Sequence, residues 1–284
     1  MTQRHYVLTV ICPDRTGIVA ELSGFFADRG GWVDEADFFT DDASGKFFAR
    51  LSIRAGDLDF EQVRAEFADF APDTADWKLW DTAHRRKAVI LVTKEGHCLH
   101  DLLGRVGQRD YPMDVACVIG NHEDLRPMAE AHGLDYHYVP FPKDAVGKRK
   151  AFDEVAEIVD AHDPDAIVLA KFMQILPPDL CEKWAGKAIN IHHSFLPSFM
   201  GARPYNQAYT RGVKLIGATC HFATTDLDDG PIIEQDVIRV THKDSPEDLK
   251  RIGRDAETTV LARGLRWHLE DRVLVYGNRT VIFN

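Results

Sequence analysis

The chain has 284 residues, 45% apolar and 28% charged, globular proportions that exclude a disordered or fibrous protein. Its 34 Lys and Arg stand against 45 Asp and Glu, a net charge of −11 that repels phosphate backbones and argues against a nucleic-acid partner. No apolar run reaches the ~18 residues that a membrane span needs, the opening Met1-Thr-Gln-Arg-His-Tyr6 has no apolar signal core, and five scattered cysteines form no C-x-x-C pair, so the expectation is a cytoplasmic protein with no membrane partner, disulfide framework or zinc site.

Tyr6 to Ile11 reads as a strand, and Pro13-Asp-Arg-Thr-Gly17 breaks it and opens a helix. Between Gly17 and Ala27, Ile18, Leu22, Phe25 and Phe26 recur at helical spacing. Gly30-Gly31 closes that helix as a C-cap. Trp32 to Thr40 and Lys46 to Arg54 read as strands joined by the hairpin-like Asp41-Asp-Ala-Ser-Gly45. Phe60 to Phe70 fits a second helix with Val63 and Phe67 on one face, and Trp77 to Trp80 a last strand. The order β-α-β-β-α-β is the ferredoxin-like split βαβ arrangement. The basic break His84-Arg-Arg-Lys87 marks the boundary, giving expected domains over 1–85 and 86–284.

Beyond the break, short apolar strands alternate with helices. The strands are Ala88–Val92, Val115–Ile119, Tyr136–Val139, Ala166–Leu169 and Ala188–Ile191. The helices lie around Leu99–Arg105, Leu125–Ala131 and Lys148–Ala161. This rhythm predicts a Rossmann-like α/β domain with a mostly parallel sheet covered on both faces. Ser245 caps a long final helix with Pro246 at its first position, and Val273–Tyr276 with Thr280–Phe283 reads as a closing hairpin across Gly277-Asn278.

Ligands of open parallel sheets bind beyond the carboxyl ends of the strands. Asn190 and His192 sit two apart at such an end, so their side chains share a face. An amide and an imidazole there can donate to a developing oxyanion or protonate a leaving nitrogen. A histidine that only caps the strand end is the competing reading. A second strand runs out near Phe222 into the acidic loop Thr224-Thr-Asp-Leu-Asp-Asp-Gly-Pro231. Alone it reads as a surface loop; beside His192 a carboxylate can orient the ring or a water. His192, His193, His221 and Asp228 lack the H-x-x-x-H spacing of a metal site, and no metal is expected. Neither a nucleophile elbow nor a phosphate-binding glycine motif occurs.

Three segments, Val168-Leu-Ala-Lys-Phe-Met-Gln-Ile-Leu176, Asn190-Ile-His-His-Ser-Phe-Leu-Pro-Ser198 and Asp226-Leu-Asp-Asp-Gly-Pro231, resemble the signatures of the formyltetrahydrofolate-dependent formyltransferase family, in that family's order. The resemblance implies catalytic roles for Asn190, His192 and Asp228. It implies substrate binding by Met173, Gln174, Ile175, Leu176 and Thr224, and supporting roles for His193, Ser194 and His221. The first 85 residues resemble an ACT domain, an amino-acid-sensing module, with Asp14, Thr16, Gly17 and Ile18 at its first turn. That implies an effector site there, glycine and methionine as opposing signals, and a homo-oligomer built by side-by-side pairing. The free amides of a helix N-terminus suit an amino acid's carboxylate, although the turn could serve only to cap the helix.

The combination is similar to the deformylase branch of the family. That implies hydrolysis of 10-formyltetrahydrofolate to formate and tetrahydrofolate, with formate passing to purine synthesis and the one-carbon folate pools kept in balance. Folate is then substrate, and no cofactor is implied. The transferases of the family have a Gly-rich phosphate-holding turn and usually Pro where His193 stands. Here the turn is Thr93-Lys-Glu-Gly-His-Cys98, with a single Gly and an added acid, which favours water as acceptor. The alternatives are a formyltransferase acting on an amine, and a non-catalytic folate and amino-acid sensor, against which the three candidate catalytic residues speak.

Overall fold

The computed structural model describes residues 4–109, 111–198 and 204–284; Met1 to Gln3, part of the opening stretch expected to hold no signal core, lie outside them. The first unit runs β1 (His5–Pro13), α1 (Ile18–Ala27), β2 (Trp32–Asp41), β3 (Lys46–Arg54), α2 (Phe60–Phe70) and β4 (Asp76–Asp81). Its antiparallel sheet has the order β2-β3-β1-β4. Alternation sends Tyr6, Leu8 and Val10 of β1 and Phe47, Ala49, Leu51 and Ile53 of β3 into one core with Phe25, Phe26 and Phe67 of the helices. Phe25 and Phe67 meet edge to face at 5.1 Å. Gly17 has φ 89°, the left-handed turn that lets the chain leave β1 and enter α1 with no side-chain cap.

The second unit contains β5 (Arg86–Val92), α3 (His97–Gly107), β6 (Met113–Gly120), α4 (Arg126–Ala131), β7 (Tyr136–Tyr138), α5 (Ala145–His162), β8 (Ala166–Leu169), α6 (Pro178–Lys183), β9 (Ala188–His192), α7 (Pro204–Arg211), β10 (Leu215–Phe222), β11 (Ile232–Arg239) and α8 (Pro246–Leu269). Its sheet has the order β11-β10-β9-β8-β5-β6-β7. It is parallel from β9 to β7, while β10 runs antiparallel to β9 and β11. Ala88 to Val92 are all fully buried, which is why β5 is an unbroken apolar run instead of an alternating one. The chain builds outward from β5 through β6 to β7, then returns to the other side with β8 and β9. That reversal opens a crevice beyond the carboxyl ends of β5 and β8. Ser245 and Asp248 form a reciprocal capping box at the start of α8, with Pro246 at the first position.

The hairpin β12 (Val273–Tyr276) and β13 (Arg279–Ile282) closes the chain. Contacts divide the chain between Arg85 and Arg86, and they also return Asp271–Leu274 and Val281–Asn284 to the first unit, a return that the expected span 86–284 did not include. Arg272 lies 3.6 Å from Glu35 of β2. No helix among the described residues is long and apolar enough to cross a membrane.

Candidate active site

The site begins with register. β10 lies against β9 with His221 opposite Asn190 and Thr219 opposite His192. Beyond β9, Thr219 fixes the exit turn: its hydroxyl donates to the Ser194 carbonyl at 2.9 Å and accepts from the Leu196 amide at 3.0 Å. Ser194, itself buried, donates from Oγ to the Ser198 carbonyl at 2.7 Å. Its side chain shapes the turn and does not line the cavity described below.

His221 sets the direction of the Asn190 amide. Its Nδ1–H donates to the Phe222 carbonyl at 2.9 Å, which leaves Nε2 as an acceptor 3.2 Å from Asn190 Nδ2. Burial lowers the His221 pKa, in keeping with a neutral ring that accepts there. The Asn190 amide thus keeps a second N–H to offer a substrate.

Asp228 comes from the loop between β10 and β11. The Thr224 hydroxyl donates to the Asp226 carbonyl at 3.0 Å and tightens that loop. A Cβ at Gly230 would overlap the Phe222 carbonyl, so only glycine closes the loop at that point. Asp228 itself is left-handed, φ 57°, and its Oδ1 lies 3.2 Å from His192 Nδ1. Burial works against ionisation of Asp228, but the His192 bond and the neighbouring histidines prevail and hold its carboxyl below the usual range. With Nδ1 engaged, the other ring nitrogen of His192, Nε2, is buried and makes no hydrogen bond with the described residues.

Asn190, His192 and Asp228 line one cavity of about 440 Å³ at the strand exits. Met173, Gln174, Ile175, Leu176, Thr224, His193 and His221 line it too. Met173, Ile175 and Leu227 are 57%, 69% and 56% exposed, so an apolar mouth stands over a polar floor. Such a lining suits a ligand that buries an apolar body at the mouth and presents a polar group to the floor. Asp14, Thr16, Gly17 and Ile18 lie in the first unit. Ile18 is buried in that unit's core, so only its backbone is available to a ligand.

A second cavity of about 440 Å³ shares Lys171, Met173 and His193 with the first. Behind it is a polar cluster that sequence reasoning missed. Glu257 of α8, 1% exposed, lies 3.2 Å from Lys171 Nζ and 2.7 Å from His97 Nε2, and accepts from the Tyr205 hydroxyl at 2.6 Å. The cation and hydrogen bonds hold Glu257 at a pKa of about 2 despite its burial. The available signal was a carboxylate on the apolar stripe of α8, between Gly253 and Val260-Leu261. Metal-type donors gather within 4.8 Å of one another at Cys117, His137 and His162, and at His97, Cys98 and Glu257, neither group including His192 or Asp228.

Burial, with Lys171 and His192 nearby, lowers the His193 pKa from 6.5 to about 4. Between those values the unfolded chain binds more protons than the folded one, so stability rises with pH across that window. Thermal unfolding followed from pH 7 to 4 should therefore show a progressive loss of stability, and His193→Gln should flatten the slope. A slope unchanged in that variant would contradict the assignment.

Residues 86–265 match the family described as Formyl transferase. A curated protein named formyltetrahydrofolate deformylase, from Bacillus subtilis (strain 168), is 43% identical over 281 residues, which are 98% of this chain and 93% of that protein. The crystal structure of a formyltetrahydrofolate deformylase from Pseudomonas syringae pv. tomato str. DC3000 matches with a TM-score of 0.97 and 52% identity, covering 100% of this chain and 96% of that one. Glycinamide ribonucleotide transformylase 1 from Symbiobacterium toebii, at 30% identity and a TM-score of 0.66, is covered over 98% of its length but reaches only 73% of this chain.

Proposed function

The chain belongs to the formyl transferase family and, within it, to the formyltetrahydrofolate deformylases, and from that premise we propose that it hydrolyses 10-formyltetrahydrofolate to formate and tetrahydrofolate. The observation that carries the chemistry is the meeting of Asn190, His192 and Asp228 in one cavity, with His192 Nδ1 3.2 Å from Asp228 Oδ1. The pterin lies against the apolar mouth, with Met173, Gln174, Ile175, Leu176 and Thr224 around it. The formyl carbon faces the polar floor. Water adds to that carbon, and the Asn190 N–H and the His192 ring hold the oxyanion. The His192–Asp228 pair takes the water's proton and returns it to the departing N10, so the new C–O bond replaces the C–N bond. The water's second proton passes to solvent as the product ionises to formate, and this route calls on no cofactor.

The likeness to deformylases over nearly the full chain, against 73% for the transformylase, favours water over an amine as acceptor. The test is the purified protein with formyl donor alone. Formate appearing in step with donor loss is expected; donor consumption that waits for an added amine would overturn the hydrolase reading.

The same reading extends to context. The protein acts in the cytoplasm, where its formate enters purine synthesis and its turnover balances the folate pools. The first unit senses amino acids, with glycine and methionine as opposing effectors at Asp14, Thr16, Gly17 and Ile18. Gly17 as helix N-cap with no side-chain cap bond supports this, since the amides at that helix start are not taken by a side chain. A homo-oligomer pairs through this unit, supported by β2 at the sheet edge with Trp32 65% and Phe39 45% exposed. The donor-only assay repeated with each amino acid, and sedimentation of the same sample, check both points. Rates indifferent to both amino acids, or a monomer at assay concentration, would remove the corresponding proposal.

A further inference from the structure

Lys171 is the loop residue two positions beyond β8, and it holds φ 62°. A non-glycine residue in that left-handed region costs on the order of 1 kcal/mol or more, so a lysine kept there points to a function for its side chain. The side chain is 6% exposed and its ammonium is pinned 3.2 Å from Glu257. Glu257 is fixed in turn by His97 and Tyr205. Lys171 lines both cavities, whereas Glu257 lines neither. A group crossing from the second cavity toward His192 and Asp228 therefore meets the positive end of the pair, with the carboxylate behind it. His193 and Met173 are the other residues common to the two cavities, and with its pKa near 4 His193 adds no charge at neutral pH.

We propose that Lys171 is the specificity-determining residue that commits the site to water: its fixed ammonium guards the approach from the second cavity, admitting an uncharged water, repelling protonated amines and drawing the formate anion out. The inference rests on the deformylase reading. In the step concerned, the water oxygen bonds to the formyl carbon, the C–N10 bond breaks, one of the water's protons passes to N10, and the other is lost to solvent as formate leaves as an anion. An amine on the same path brings a positive charge before it loses its proton, and close like charges in a partly desolvated passage raise its barrier selectively.

The experiment measures partition of the formyl group. Protein and formyl donor are mixed at pH 8 with glycinamide, an α-amino group about half protonated there, and the ratio of N-formyl product to formate is read. Wild type should give almost only formate. K171M should raise the ratio about tenfold or more, while K171R, which restores the charge, should stay near wild type. Should K171M fail to fold with Glu257 left behind, K171M/E257Q, which removes both charges, decides the matter by the same ratio. An unchanged ratio in a folded charge-removing variant, or an equal rise in K171R, overturns the proposal. Failure of the deformylase reading itself is visible separately, as wild type that makes no formate from donor alone.

Discussion

Asp228→Asn is expected to slow formate release by about 100- to 10,000-fold while leaving the fold intact, the range found when the carboxylate partner of a catalytic histidine is neutralised. The cause is local. Asp228 sits 3.2 Å from His192 Nδ1, and its carboxylate both favours the Nδ1–H tautomer and stabilises the imidazolium formed once Nε2 takes a proton. An asparagine amide gives no charge, and it can present an N–H to Nδ1 and reverse the tautomer. His192→Ala should be as severe, and the double variant little worse than either single one, because the pair acts as a unit. Steady-state formate release by the purified variants, with circular dichroism to verify folding, is the measurement. Turnover within a fewfold of wild type in Asp228→Asn would rule out the proposed role.

Glu257→Leu is expected to destabilise the protein by about 3–5 kcal/mol, since it leaves the Lys171 ammonium buried without its anion. His97 and Tyr205 lose a partner at the same time. On the usual scale for chains of this size the melting temperature should fall by roughly 6–20 °C. Lys171→Met combined with Glu257→Leu should recover most of that loss, because a buried ion pair exchanged for apolar groups of similar volume is often neutral. The pH dependence follows from the lowered Glu257 pKa. Its contribution is full above the ordinary carboxyl value of 4.5 and disappears as pH falls through about 2. A melting temperature within a degree or two of wild type in Glu257→Leu would show that the cluster is not a stabilising one.

Strands and helices with a strong pattern were legible in the sequence. Phe60–Phe70 carries its apolar face at helical spacing, and Ala166–Leu169 is an uninterrupted buried run, so both ends of each element are visible. Ser245-Pro246 announces the start of α8 by capping chemistry alone. Three elements had no such signal. α6 is a six-residue helix introduced by two prolines, α7 has polar residues through its middle, and β11 mixes Glu, Gln and Asp into a sheet edge. Alternation along β9 puts Asn190 and His192 on one face, and both line the cavity. What turns Asp228 toward them is the left-handed backbone of Asp228 and the close fit of Gly230, and both are tertiary facts with no local pattern. The Lys171–Glu257 pair was hidden for a related reason. The two residues are 86 positions apart, and although Glu257 stands out on the apolar stripe of α8, nothing in the local pattern names Lys171 as its partner until the fold brings the two together.

The return of residues 271–274 and 281–284 to the first unit has a consequence for synthesis. During synthesis the segment up to Arg85 is made before the rest of the chain, yet that unit lacks its final pieces until the C-terminal hairpin has been made. At ~5–20 residues per second the delay is roughly 10–40 s. Throughout that interval Glu35 stands without Arg272, and the sheet must persist on its own hydrophobic core. Any C-terminal truncation therefore strikes the opposite end of the sequence: a stop codon placed before residue 271 removes part of the unit that was translated first.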